Sequence, residues 1–292
     1  MPRLYVVATP IGNLSDISPR ALDTLKSCDL IAAEDTRVTR ALLNHFDIST
    51  PCVSNHQHNE DQRAQPLVTR MLAEDLTVAL VTDAGTPCIS DPGCVLVREA
   101  AQAGIEVMAV PGPTAMASAI SVSGFDAREF AFYGFLPRQK KELREKLLFI
   151  ARSGVPVAVV HESPHRVIDL VRAISETLPG CRVSASCDLT KLYEKTVRGA
   201  AEDVLAGLLA NEKAEKGEYC IVLDLRDVTL EKEEAASSAS LEAQLFEELL
   251  CGSDLRQASE RLMERGLKRN DVYRARTNVQ RFLQDMMDAE EE

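Results

Sequence analysis

Val78-Ala79-Leu80-Val81-Thr82-Asp83-Ala84-Gly85-Thr86-Pro87-Cys88-Ile89-Ser90-Asp91-Pro92-Gly93 decides the fold. Its first four residues form an unbroken apolar run, the pattern of a parallel strand buried on both faces. A loop of Gly, Pro, Asp, Thr and Ser follows, then a helical pattern over Pro92–Ala103 with Gly104 as its stop. In an α/β sheet, ligands bind where carboxyl ends of strands meet amino ends of helices. Ala8-Thr9-Pro10-Ile11-Gly12-Asn13-Leu14 and Val110-Pro111-Gly112-Pro113-Thr114-Ala115 repeat that arrangement. Three such loops predict one composite small-molecule site.

Outward from these loops, strand-like runs at Leu4–Ala8, Leu30–Ala33, Thr77–Val81 and Ile105–Val110 alternate with helical patterns. Ser18-Pro19 reads as N-cap and first position of a helix presenting Ala21, Leu22 and Leu25. Thr114–Ser123 reads as a small-residue helix ended by Gly124. Gly134-Phe135-Leu136-Pro137 is a natural break. Beyond it come helices near Lys141–Ala151, Ser163–Thr177 and Glu202–Asn211, with strands over Val155–His161, Arg182–Asp188 and Glu218–Leu225. The fold class is therefore α/β, with two consecutive α/β domains at 1–120 and 121–226 and a cleft between them. Residues 227–240 read as a linker. Leu241–Leu250, Leu255–Glu264 and Val272–Leu283 form a helix-turn-helix-like module within 241–292.

The chain has 292 residues, 45% of them hydrophobic and 27% charged, the balance of a soluble globular protein. No apolar run is long enough to span a bilayer, and residues 1–20 lack a signal-peptide pattern, so the expected location is the cytoplasm. The 8 cysteines form no C-x-x-C pair, which argues against a disulfide scaffold and against a zinc thiolate cluster. A net charge of −12 argues against a generally basic nucleic-acid coat. The charge is uneven, however: Arg256, Arg261, Arg265, Lys268, Arg269, Arg274, Arg276 and Arg281 concentrate in the terminal module. A local basic patch of this kind can hold a polyanion.

His161-Glu162-Ser163-Pro164-His165 matches the letters of the zinc-protease signature, but that chemistry needs one continuous helix. Pro164 breaks such a helix, so no metal is expected. His56-Gln57-His58 lies in a polar loop without a third ligand. Ala33-Glu34-Asp35-Thr36-Arg37 follows a strand and reads equally as a helix cap with a local ion pair or as a charged cleft wall. Gly85 and Thr86 sit in neither a dinucleotide nor a Walker frame, which suits a ribose or amino-acid moiety better than a triphosphate. Leu189-Thr190-Lys191-Leu192-Tyr193-Glu194 follows a strand end, placing Lys191 and Glu194 at the mouth of the second sheet.

These blocks, in this order and together with Ser90-Asp91-Pro92-Gly93 and Glu162-Ser163-Pro164-His165-Arg166, resemble the small-subunit rRNA cytidine 2′-O-methyltransferases of bacteria, a branch of the tetrapyrrole methylase superfamily. The resemblance covers about residues 3–225, and the terminal module is similar to that family's small helical domain. It implies S-adenosylmethionine bound in the cleft between two α/β domains of tetrapyrrole methylase type. It also implies a homodimer, with methyl transfer to a ribose hydroxyl of 16S rRNA near the decoding centre in the small subunit. Carried over by motif, Pro10, Asp83-Ala84-Gly85-Thr86, Ile89, Thr114-Ala115 and Glu162 bind the cofactor. Cys187-Asp188 departs from the family's usual Arg-Glu pair before Leu-Thr-Lys.

A ribose hydroxyl is weakly acidic, so a base or a cation should assist; Asp35, Lys191 and Glu194 are the catalytic candidates. Arg37, Arg138, Lys140, Lys141, Lys268 and Arg269 are the candidate RNA contacts. A tetrapyrrole C-methyltransferase and a non-enzymatic RNA- or nucleotide-binding module are the alternatives.

Overall fold

A computed structural model describes residues 1–230 and 240–290, with side chains described to residue 284. The chain divides into a unit Met1–Thr229 and a unit Leu230–Glu292.

The larger unit begins with β1 (Arg3–Val7), α1 (Pro19–Ser27), β2 (Leu30–Ala33), α2 (Thr36–His45), β3 (Cys52–Ser54), α3 (Glu60–Glu74), β4 (Thr77–Val81), α4 (Cys94–Gln102) and β5 (Glu106–Val110). Its five strands pair in parallel in the order β3-β2-β4-β1-β5. The apolar run of β4 is explained by the alternation of side chains along a strand. Ala79 and Val81 pack with Ala21, Leu25 and Leu43 of α1 and α2, whereas Val78 and Leu80 pack with Ala64, Val68, Met71, Leu96 and Ala100 of α3 and α4. Both faces are covered, so no polar position is tolerated in the middle of the strand.

This arrangement also fixes where a ligand can enter. The strands β1 and β4 are neighbours, yet α1 leaves β1 toward one face and α4 leaves β4 toward the other. Loops that diverge from adjacent strands open a crevice at their carboxyl ends.

The second sheet is built from β6 (Phe130–Phe135), β7 (Val157–Glu162), β8 (Arg182–Cys187), β9 (Lys195–Ala200) and β10 (Tyr219–Asp224), in the order β6-β7-β10-β8-β9. Only β6 and β7 are parallel; β10 runs antiparallel between β7 and β8, and β9 closes the edge antiparallel to β8. Helices α5 (Ala115–Ser123), α6 (Lys140–Arg152), α7 (Val167–Thr177) and α8 (Ala201–Leu209) accompany it. Small residues let α5 lie close on this sheet, with Ala119 packed among Val157, Val159, Cys220 and Val222. The change from one sheet to the other therefore falls at Pro111-Gly112-Pro113, ahead of α5.

In the smaller unit, α9 (Leu241–Leu250), α10 (Leu255–Glu264) and α11 (Arg269–Glu290) enclose Leu245, Ala258, Leu262, Val272, Ala275 and Val279. Asp254 and Gln257 form a reciprocal capping box at the start of α10. Glu248 is held between Arg261 (2.9 Å) and Arg265 (2.5 Å).

Two helix starts differ from expectation. The helix expected from Ser163 starts at Val167, because Ser163–Arg166 form a tight turn closed by the Arg166 N–H on the Ser163 carbonyl at 3.0 Å. The last helix starts at Arg269, three residues before Val272. Most of the expected linker 227–240 lies outside the described residues. Among the described residues no helix is long and apolar enough to cross a membrane.

Candidate active site

Three loops interlock at the crevice. Thr9 and Gly85 exchange two backbone hydrogen bonds of 2.9 and 3.1 Å, and the Thr9 hydroxyl donates to the Thr82 carbonyl at 3.1 Å. The Thr86 hydroxyl donates to the Pro113 carbonyl at 3.3 Å, tying in the third loop. Gly85 holds φ +89, a left-handed conformation that glycine adopts without strain. Thr86 is thus a brace, with its hydroxyl turned to protein. Thr114 occupies the N-cap of α5, but its side chain makes no capping bond.

Two cavities flank these loops. The first, about 420 Å³, is walled by Ile11, Ala84, Ile89, Ala115, Phe135 and Leu189, with Glu162, His161 and Tyr219 from the ends of β7 and β10. Glu162 is 2% exposed. Its Oε1 accepts from the Ser163 N–H at 2.8 Å, and its Oε2 lies 3.2 Å from the Arg166 guanidinium while accepting no hydrogen bond among the described residues. Arg166 also donates to the Pro137 carbonyl at 3.1 Å, which explains why the turn before α7 is kept. His161 is wedged between Phe132 and Phe135, with ring centroids 5.1 and 5.7 Å away. Burial lowers its pKa, so it is neutral at pH 7. His161 and Glu162 end a strand and His165 lies in the following turn, so the H-E-x-x-H letters never share a helix. Asp91 also faces this cavity, where burial, and then the charges of Glu34 and Asp83, push its pKa up to about 6.

The second cavity, about 260 Å³, is walled by Pro10, Leu14, Val38, Ala41 and Leu42, with Thr39, Thr82 and Asp83 as its polar residues. Asp83 accepts from the Asp35 N–H at 3.0 Å, and burial raises its pKa. Glu34 accepts from the Thr82 hydroxyl at 2.5 Å and from the Asp83 N–H at 3.2 Å. The residues expected to bind one cofactor are therefore divided. Ala84, Ile89, Ala115 and Glu162 face the first cavity, Pro10 and Asp83 the second, and Gly85, Thr86 and Thr114 shape the loops between.

The candidate catalytic side chains are held as follows. Asp35 caps α2 through the Arg37 N–H at 2.8 Å and pairs with the Arg37 guanidinium at 2.6 Å, which holds its pKa at about 2. A carboxylate of that acidity is a weak base at neutral pH, and its pairing with Arg37 also shapes the start of α2. Lys191 bridges Asp188 and Glu218, each 3.0 Å from Nζ. Burial alone lowers its pKa, but these two partners outweigh it and raise the net value, so Lys191 is a fixed cation and not a base. Glu194 accepts from the Thr190 N–H at 2.6 Å and so fixes the turn that carries Lys191, while Asp188 and Thr190 hold φ +53 and +67. A methyl group on Gly12 would come within 2.5 Å of Lys191 Cγ and 3.0 Å of the Leu189 carbonyl. Gly12 is what allows the first loop to close on the Lys191 turn.

Arg138, Lys140, Lys141, Lys268 and Arg269 are exposed, and Arg269 stacks over Tyr273 at 5.7 Å. Arg37 is 88% exposed at its side chain although paired. Among the described residues no group of three or more His, Cys, Asp or Glu is arranged to hold a metal ion. Ile11, Ser90, Asp91, Phe135, His161, Leu189 and Tyr219 were not anticipated as site residues. All but Tyr219 lie in or beside a motif named above, and Tyr219 begins the strand β10.

The sequence pattern described as Tetrapyrrole (Corrin/Porphyrin) Methylases matches residues 3–205, and the chain belongs to that family. Within it, the chain is 41% identical to Ribosomal RNA small subunit methyltransferase I of Halalkalibacterium halodurans, over 92% of this chain and 93% of that protein. It is 39% identical to the protein of the same name from Escherichia coli O157:H7, over 93% of each. Among solved structures, diphthine synthase superimposes with a TM-score of 0.59 at 12% identity, covering 79% of this chain and 92% of that one. Uroporphyrin III C-methyl transferase from Thermus thermophilus gives 0.52 at 19%, covering 76% and 97%. Both share the fold.

Proposed function

We infer that this chain is an S-adenosylmethionine-dependent methyltransferase of small-subunit ribosomal RNA, acting on the 2′-oxygen of a cytidine ribose near the decoding centre of 16S rRNA. The observation that carries this reading is the extent of the kinship. The family pattern ends at residue 205, yet relatives at about 40% identity align over more than nine-tenths of the chain. The unaligned part is too short to contain the whole of Leu230–Glu292, so the similarity runs into the terminal helical unit.

The first cavity suits the methyl donor. Its volume lies in the range of small-molecule sites, and its walls are apolar apart from a few polar groups. The buried Glu162 Oε2 accepts no hydrogen bond and so offers an acceptor to a ligand N–H or O–H. Glu162 and Asp91 complement a cationic ligand. When bound, S-adenosylmethionine supplies an electrophilic methyl group on sulfur, so positioning provides much of the acceleration. Lys191, fixed by Asp188 and Glu218, is the cation that stabilises developing negative charge on the ribose oxygen. Glu194 and Gly12 hold the Lys191 turn in place. Arg138, Lys140, Lys141, Lys268 and Arg269 contact RNA phosphates, and the working form is a homodimer.

Methylation of a tetrapyrrole ring is the rival within the family. Purified protein should transfer label from S-adenosylmethionine to small ribosomal subunits and leave uroporphyrinogen unlabelled. Transfer to uroporphyrinogen alone overturns the reading, and cofactor binding with no transfer to any RNA favours a binding module.

A further inference from the structure

We propose that the second cavity, walled by Pro10, Leu14, Val38 and Leu42 with Thr39 and Asp83 inside it, is the seat of the acceptor pyrimidine nucleoside. The two cavities are back to back. Pro10 and Ile11 are consecutive, and so are Asp83 and Ala84; the first of each pair lines the second cavity and the second lines the first cavity. A group-transfer enzyme needs two ligand sites sharing a wall, so that donor and acceptor atoms meet at its edge. The interlocked Thr9–Gly85 bridge makes that wall rigid.

The contents of the cavity specify its ligand. Thr39 is 3% exposed, and its hydroxyl has no hydrogen-bond partner among the described residues. A buried hydroxyl left unpaired destabilises the free protein, and a ligand that pairs with it recovers that loss. Asp83 uses one carboxylate oxygen for the Asp35 N–H, and no donor among the described residues engages the other. An apolar slot with a hydroxyl and a carboxylate matches cytosine: the carboxylate accepts from the exocyclic amine, and the hydroxyl donates to the ring's acceptor edge. Uracil would present a carbonyl oxygen to Asp83 and be repelled. A carboxylate-rich macrocycle would meet Asp83 as a like charge. Arg37, one turn before Ala41 on α2, stands at the surface where the nucleotide's phosphate would lie.

The assignment rests on the rRNA reading above, and the assays separate the two. Wild type, Thr39→Val, Ala41→Trp and Asp83→Asn are compared for transfer to small subunits, for S-adenosylhomocysteine affinity by calorimetry, and for Tm. Ala41→Trp, which fills the slot, should lower transfer at least about 100-fold with product affinity unchanged. Thr39→Val should lower kcat/KM about 2- to 10-fold while raising Tm, because it removes an unpaired hydroxyl. Asp83→Asn should narrow the preference for subunits carrying cytidine over those carrying uridine at the target position. If cofactor affinity falls in step with transfer, the cavity belongs to the donor and the proposal is wrong. Unchanged transfer in both Thr39→Val and Ala41→Trp also overturns it. A wild-type enzyme inactive on subunits overturns the rRNA reading itself, and the assignment with it.

Discussion

Replacing Asp91 by Asn removes a carboxylate that the fold holds against its preference for ionisation. Burial, and then the charges of Glu34 and Asp83, raise its pKa to about 6 from a reference of 3.8. That displacement corresponds to about 3 kcal/mol if taken at face value. Asp91 is only half buried, so solvent screening reduces it to about 1–2 kcal/mol. The sign follows from the direction of the shift. A folded-state pKa above the unfolded one contributes stability that is fully present below pH 3.8 and is lost as pH rises through about 6. Asp91→Asn lacks that loss. Thermal unfolding of both proteins at pH 4, 5, 6 and 7.5 should show the variant more stable at pH 7.5 by roughly 3–5 °C. The difference should shrink toward zero at pH 4. A variant less stable at pH 7.5, or a gap independent of pH, would refute the electrostatic account of this loop.

Other perturbations follow from the same contacts. Glu162→Ala leaves the Ser163 N–H and the Arg166 guanidinium without their buried partner, so unfolding free energy should fall by about 3 kcal/mol in denaturant titrations. Glu162→Gln, which still accepts from Ser163, should recover part of that loss yet bind S-adenosylhomocysteine more weakly than wild type. Lys191→Ala should bind cofactor normally and methylate subunits about 100-fold more slowly; a wild-type rate assigns Lys191 no catalytic role. Substituting both Lys268 and Arg269 with Ala should weaken subunit binding and lower the slope of log affinity against log salt by roughly 1.5. An unchanged slope places those side chains away from the RNA.

The elements that could be read in the sequence are those whose local signals agree with their packing. Val78–Val81 is apolar throughout because two helical layers cover it, and Ser18-Pro19 announces α1 by a cap whose hydroxyl accepts from Ala21 at 3.1 Å. In the terminal unit, α9 and α10 fall where their apolar spacing indicates. Elements with conflicting signals were missed. Helix α3 is polar and carries Pro66 in its interior, β3 is only three residues long, and β9 is an edge strand with Lys195 and Arg198 along it. The Ser163 start failed because Arg166 is drawn to Glu162 and Pro137, which holds the chain in a turn before α7.

For the site, sequence position identified the loops but not the facing of individual residues. Neighbours such as Pro10 and Ile11 line different cavities, and only the Thr9–Gly85 pairing of the loops after β1 and β4 decides which. The weak basicity of Asp35 depends on the Arg37 side chain folding back, a feature that its spacing permits without requiring.

The central claim is methyl transfer to a ribose oxygen of small-subunit RNA, and the modified nucleoside tests it most directly. Small subunits from cells lacking the enzyme are incubated with the protein and isotopically labelled S-adenosylmethionine, and their RNA is digested to nucleosides for mass spectrometry. The account expects label in 2′-O-methylcytidine, from a single alkali-resistant position in 16S rRNA near the decoding centre. Label on a base, in another nucleoside, or absent from the RNA while a tetrapyrrole is methylated would contradict it.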